Sequence, residues 1–222
     1  MKTRLVVVSF TILMAGGLAH QAAAGPVAVL NPSFEDNKAA LVPSDGNFTV
    51  GVVPEWEDNF PAPASAGLFN PPGTEPTPPN GDVVLFLNPG GFVVQDLENG
   101  AGSFIPFNVG DTIHVEVDAH DRNGTMPQLR ADIRTLPNTS IVGGSQLMVV
   151  NDAVGYSTLF YEFTVATAAS QGFLVFDGVA PGQINLDNVR VTVVPEPASI
   201  AIWSLLGLVG VSGYWIRRKT RK

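Results

Sequence analysis

Thr112-Ile113-His114-Val115-Glu116-Val117-Asp118-Ala119-His120 alternates apolar and polar residues without a break. Successive side chains of an extended strand point to opposite faces. Ile113, Val115, Val117 and Ala119 therefore share one face, and His114, Glu116, Asp118 and His120 share the other. A helix would need apolar residues every three or four positions instead. The stretch is read as a half-buried strand over Thr112 to Ala119.

Leu129 to Thr135 repeats the pattern, with Leu129, Ala131 and Ile133 on one face and Arg130, Asp132 and Arg134 on the other. Further strands are expected at 27–30, 48–53, 82–87, 92–97, 156–166, 172–176 and 184–194. Turn signals separate them: Asn31-Pro32, Asn88-Pro89-Gly90-Gly91, Asn99-Gly100-Ala101-Gly102, Val109-Gly110-Asp111 and Asn123-Gly124. Many short alternating strands with turns between them, and no helical periodicity away from the two ends, predict a β-sandwich or barrel. Residues 54–80 hold eight prolines. Proline removes backbone donors and fixes φ, so no ladder pairing is expected there. The stretch reads as a long surface excursion carrying Trp56, Phe60 and Phe69.

The two ends differ from this body. Lys2 and Arg4 precede an apolar run from Leu5 to Leu18 and then Ala22-Ala23-Ala24. That order is a secretory signal peptide over residues 1–24, cut near Ala24. At the other end, residues 198–216 carry no charge, and five of the last six residues are basic. Nineteen residues at about 1.5 Å each span roughly 28 Å, enough for one transmembrane helix. Arg217, Arg218 and Lys219 form the membrane stop that keeps the end cytoplasmic and sends the rest of the chain outward. Ser204, Gly207, Gly210 and Gly213 give the helix a stripe of small residues that permits close helix contact.

Between the ends, residues 25–194 hold 19 acidic side chains against five basic ones, a net charge near −14 in a chain whose total is −8. Phosphates would be repelled, so no nucleic-acid partner is expected. The chain has no cysteine, which excludes disulfides, thiolate metal sites and cysteine nucleophiles.

Pro195-Glu196-Pro197 stands immediately before the apolar run. Motif, helix and basic end in this order resemble the PEP-CTERM sorting signal of bacterial exosortase substrates, over residues 195–222. The resemblance implies delivery across the inner membrane and a membrane-anchored precursor. An exosortase-like membrane protease would then process it at Pro195, Glu196 and Pro197, leaving the body at the cell surface or outside the cell.

The body carries three short motifs: Asn31-Pro32-Ser33-Phe34-Glu35, then Phe92 to Leu97 leading into Val109-Gly110-Asp111-Thr112-Ile113, and last Leu186-Asp187-Asn188-Val189-Arg190-Val191. Together they resemble the galactose-binding-like jelly rolls, particularly carbohydrate-binding modules of the family 4/9/22 type. The resemblance implies an all-β, jelly-roll β-sandwich over 25–194. It also implies a structural calcium ion tying the first and last strands, held by Glu35, Asp187 and the carbonyl of Ser33. Calcium takes six to eight oxygens of this kind. The competing reading makes Glu35 and Asp187 turn or cap residues.

The remaining chemistry is sparse. His114 and His120 are six residues apart along a strand, roughly 20 Å, too far for one ion, so their face reads as the polar side of a sheet. No Gly-x-Ser-x-Gly, His-Glu-x-x-His or phosphate loop occurs, and no catalytic residue is assigned. Trp56 and Tyr156 are the candidate ligand-binding aromatics, since a flat ring stacks on a sugar face; core packing beneath the proline-rich stretch is the other reading of Trp56. The expected function is a non-catalytic cell-surface or matrix protein. The alternatives are a calcium-stabilised carbohydrate-binding module and a hydrolase acting on extracellular polysaccharide.

Overall fold

In the computed structural model of this chain the described residues are 25–38, 46–51, 53–56, 65–99, 101–135, 139–152, 154–179 and 181–196. The expected signal peptide, transmembrane helix, Pro197 and basic tail lie outside them. Among the described residues, no helix is long and apolar enough to cross a membrane.

Eleven strands run in order: β1 Gly25–Val27, β2 Ala66–Phe69, β3 Val84–Leu87, β4 Phe92–Asp96, β5 Thr112–Asp121, β6 Gln128–Thr135, β7 Thr139–Ser140, β8 Gln146–Val149, β9 Ser157–Thr164, β10 Phe173–Val179 and β11 Ile184–Val194. A single 3₁₀ turn, Glu35–Asn37, completes the named elements. One sheet has the order β2-β3-β11-β5-β9, with β1 also pairing β11. The other has the order β4-β10-β6-β7, with β8 also pairing β6. The named pairings are antiparallel. The body is thus an all-β, two-sheet sandwich.

The alternation read in Thr112–Asp121 becomes burial. Ile113, Val115, Val117 and Ala119 are sealed in the core, with Leu129, Ala131 and Ile133 of β6 in the same apolar cluster. Tyr161 of β9 also reaches across: its ring stacks near Phe163 and its hydroxyl donates to the Leu129 carbonyl at 3.0 Å. A buried tyrosine with its hydroxyl satisfied contributes both area and a hydrogen bond. Burial raises the Tyr161 hydroxyl's pKa.

Three expectations are corrected. The 54–80 stretch contains a strand after all: β2 occupies the proline-free window Ala66–Phe69 and pairs with β3. The 48–53 segment is not a named strand. Thr49 and Gly51 donate backbone bonds to Leu68 and Ala66 on the outside of β2, and Phe48 forms only an isolated bridge to Phe69. β1 ends at Val27, with Ala28 crossing to bridge Glu98. β7, Thr139–Ser140, has no apolar residue, and β8, Gln146–Val149, is apolar at three of its four positions without the alternation that marks a half-buried strand; neither is among the expected strands.

Candidate functional site

The first motif builds a tight reversal. Asn31 and Phe34 both take left-handed backbone conformations, φ 45° and 61°, uncommon for residues other than glycine. The reversal turns Phe34 into the core, where it is fully buried and packs on Trp56 with ring centroids 5.3 Å apart. Trp56 is 2% exposed and lies 6.1 Å from Phe176, and its indole Nε1 donates to the Asn31 carbonyl at 3.4 Å. The assignment of Trp56 as a sugar-stacking platform is therefore corrected: at 2% exposure its ring is committed to the core.

Glu35 and Asp187, the expected calcium ligands, approach the same short segment from two sides. Glu35 Oε1 accepts the backbone N–H groups of Asp82 at 2.6 Å and Val83 at 2.7 Å, while Oε2 lies 3.5 Å from the Lys38 ammonium. Asp187 Oδ2 accepts from Asn80 N–H and Oδ1 from Asn188 N–H, each at 2.7 Å. The two carboxylates thus clip residues 80–83 between the first motif and the last strand through amide donors. A calcium ion joining them would have to displace Lys38 and use the remaining lone pairs. Ser33 sits half-buried in the reversal. Among the described residues, no three His, Asp or Glu side chains converge as a metal-ligand group.

Asp187 is fully buried. Burial pushes its carboxyl up to about 7, with the charges of Asp118 and Glu35 adding to the shift and the N–H bonds from Asn80 and Asn188 opposing it. A bulge follows: the β5–β11 register shifts between Asp187 and Arg190, and Asn188 is left-handed at φ 52°. The bulge aims the Asn188 amide at Asp118 Oδ2, 2.8 Å away. On the same outer face, Thr158 donates to Asp118, Arg190 pairs with Glu116 at 2.9 Å, and His114 lies 3.2 Å from Glu162. These contacts pair the polar face of β5 across the sheet rather than gathering its histidines and acids around one point.

Further along this outer face, the proline-rich segment 70–80 folds back over the sheet. Its Glu75 accepts from Arg122 Nε at 3.0 Å, and the Arg122 guanidinium lies 4.1 Å above the Phe69 ring. Arg122 also donates to Gln183 Oε1 at 2.9 Å. Beneath lies a second apolar cluster of Phe69, Val84 and Phe86 with Tyr156 against it. Phe48, 63% exposed, meets Phe86 edge-on with centroids 6.4 Å apart. Tyr156 also packs on His120 at 5.3 Å. The His120 Nδ1 faces the carbonyls of Asp152 and Gly155 at 2.9 and 2.8 Å, so that nitrogen carries the proton. A pocket of about 340 Å³ opens beside the segment, walled by Lys38, Asn70, Glu75, Thr77 and Asp82 among prolines. The sequence pointed to Tyr156 but not to Glu75 or Arg122, which have no shared motif.

The processing motif begins where the sandwich ends. β11 closes at Val194; Pro195 is half-buried, and Glu196 is exposed with its N–H donated to Asp111 Oδ1 at 3.2 Å.

No family model matches this chain, and no curated protein does. Its likeness is to solved structures. An arabinose-bound MgGH51 α-L-arabinofuranosidase superposes with a TM-score of 0.51 at 14% identity, over 76% of this chain and 26% of that one. The chain thus spans about a quarter of that enzyme's length, and the likeness is one of fold. The C-terminal CBM6 of the laminarinase LamC from Zobellia galactanivorans gives 0.37 at 16% identity, over 53% of this chain and 85% of that one. TmCBM61, solved with β-1,4-galactotriose, gives 0.40 at 9% identity, over 73% and 94%.

Proposed function

We propose that the chain is an exported, non-catalytic protein of the cell surface or extracellular matrix, whose sandwich contacts polysaccharide and whose C-terminal signal is removed by an exosortase-like membrane protease. The observation that carries the processing half is the join at Val194. The ladder between β11 and β5 is complete there, so cutting at Pro195, Glu196 or Pro197 severs no strand pairing and leaves the core intact. A motif buried inside the sheet would instead have to unfold before cleavage. Mass spectrometry of the mature protein's C-terminus tests this: a terminus near residues 195–197 is expected, and a mature chain retaining residues 198–222 refutes it.

The polysaccharide half is supported by Phe48, a ring 63% exposed on the outer face that meets the buried Phe86 edge-on, and by the neighbouring Arg122–Glu75 ion pair over the buried Phe69. An exposed ring beside charged groups suits a ligand with flat apolar faces and many hydroxyls. The strongly acidic body favours a neutral glycan over a uronate-bearing one. A glycan array tests this half; no binding to any glycan refutes it. Release of reducing ends from a bound polysaccharide would replace the non-catalytic reading by the hydrolase one.

A further inference from the structure

A second pocket, of about 290 Å³, lies beside β4, and its described lining residues are Leu30, Glu55, Trp56, Gln95, Asp96 and Glu98. Three pieces of chain meet there. Leu30 leads into the first-motif reversal. Glu55 and Trp56 belong to a turn closed by the Trp56 N–H on the Val53 carbonyl at 3.0 Å. Gln95 and Asp96 end β4, and Glu98 follows, its carbonyl accepting the Ala28 N–H at 3.0 Å. Among the described residues β4 is the end strand of its sheet, which leaves room beside it.

The lining changes character with depth. Leu30 and Glu55 are exposed, Asp96 and Glu98 are half-buried, and Trp56 and Gln95 are 2% and 1% exposed. Gln95 shares the buried face of β4 with Val93, and Leu97 beyond the strand is buried too, so an apolar side chain would be expected in its place. Its Oε1 has no hydrogen-bond partner. Native proteins rarely leave a buried acceptor unpaired, because it costs its full desolvation penalty. The deep end of this pocket thus carries an acceptor in want of a donor.

The walls ask for the same thing. Three of the six lining residues are acids and none is a base. Among the described residues the ion pairs fall on other carboxylates and none engages Glu55 or Glu98. Ionised carboxylates only accept hydrogen bonds, so a ligand here must bring donors and positive charge. A bare metal ion fits poorly: no three acids converge as a ligand group among the described residues, and calcium takes six to eight oxygens. A protonated primary amine carries three donors on one centre. It can serve the Gln95 oxygen and the wall carboxylates together. The 19 acids of residues 25–194, against five bases, draw such a cation in.

We propose that this pocket is a subsite for the protonated amine of an amino sugar, with Gln95 as its buried acceptor and Glu55 and Glu98 as its charged walls. The assignment rests on the polysaccharide reading above and carries its charge argument one step further, to an amine-bearing glycan. The pocket stands at the lower end of small-molecule sites, about 300 Å³, which suits a single sugar residue.

The test is titration calorimetry of the intact protein, at mildly acidic pH, with a glucosamine oligomer, its N-acetylated counterpart, laminarin and a lysine oligomer. The glucosamine oligomer should bind at least about tenfold tighter than the other three. Gln95→Leu and Glu98→Gln should each weaken it about tenfold, the loss of one or two hydrogen bonds, with a cooperative melt showing that both variants fold. Glu162→Gln removes the same charge from an exposed position on β9 and should leave the affinity unchanged. Equal weakening by Glu162→Gln marks diffuse attraction and overturns the site, as does unchanged affinity in Glu98→Gln. Equal binding of the N-acetylated oligomer overturns the amine, and equal binding of the lysine oligomer overturns the sugar. Binding of laminarin without the glucosamine oligomer overturns the site and leaves the polysaccharide reading standing. Binding of no glycan overturns both.

Discussion

Trp56 decides between two uses of one aromatic residue, and its replacement gives a quantitative answer. The side chain is 2% exposed and packs against Phe34 and Phe176, with ring centroids 5.3 and 6.1 Å away. Trp56→Ala removes the ring and leaves a cavity between the first-motif reversal and β10, which costs about 3–5 kcal/mol. Losing the indole donor adds little, because the Asn31 carbonyl still accepts the Phe34 N–H at 3.1 Å. Against a typical total stability of about 5–15 kcal/mol, a loss of this size consumes a large share. With a urea m-value of about 2 kcal/mol per molar, the unfolding midpoint falls by about 2 M. Trp56→Phe keeps a ring in the slot and should lose about half as much. Urea titration followed by far-ultraviolet circular dichroism measures both. A Trp56→Ala loss below about 1 kcal/mol, accompanied by abolished glycan binding, would refute the core assignment and restore Trp56 as a ligand platform.

Asp187 makes stability depend on pH in a known direction. Its carboxyl ionises near 3.8 when unfolded and about 7 when folded, so the native state holds the extra proton between those values. Stability is then lost as pH rises from about 4 to 7, by roughly 4 kcal/mol at about 1.4 kcal/mol per pH unit. Asp187→Asn should flatten that slope in melting temperatures taken from pH 4 to 8; an identical slope refutes the assignment. Calcium at the Glu35–Asp187 clip would take the proton's place and raise the melting temperature at pH 8. A melting curve unchanged by chelator and by added calcium removes the ion from this protein. Gly67 of β2 is a close-approach position: an added Cβ would stand 1.9 Å from the Thr49 carbonyl oxygen and 2.9 Å from Phe86. Gly67→Ala should therefore detach the 46–51 segment and cost at least about 2 kcal/mol, read as a lower melting temperature; an unchanged one refutes the contact.

The all-β class, the half-buried β5 and β6 and the span of β11 were legible in the sequence, because strand period and turn chemistry are local properties. So were the acidity of the body and the exclusion of thiol chemistry, which follow from composition alone. β2 was hidden because its four residues lie among prolines and acquire strand geometry from β3, which follows a further stretch of prolines. Trp56 was ambiguous for a similar reason. Its burial depends on a left-handed reversal at Phe34 and on Phe176 of β10, neither of which its neighbours in the chain foretell. Glu75 and Arg122 are separated by 47 positions, and no periodicity links them. Only the order of strands in the sheet, and the proline-rich segment folded back across it, bring those two charges together.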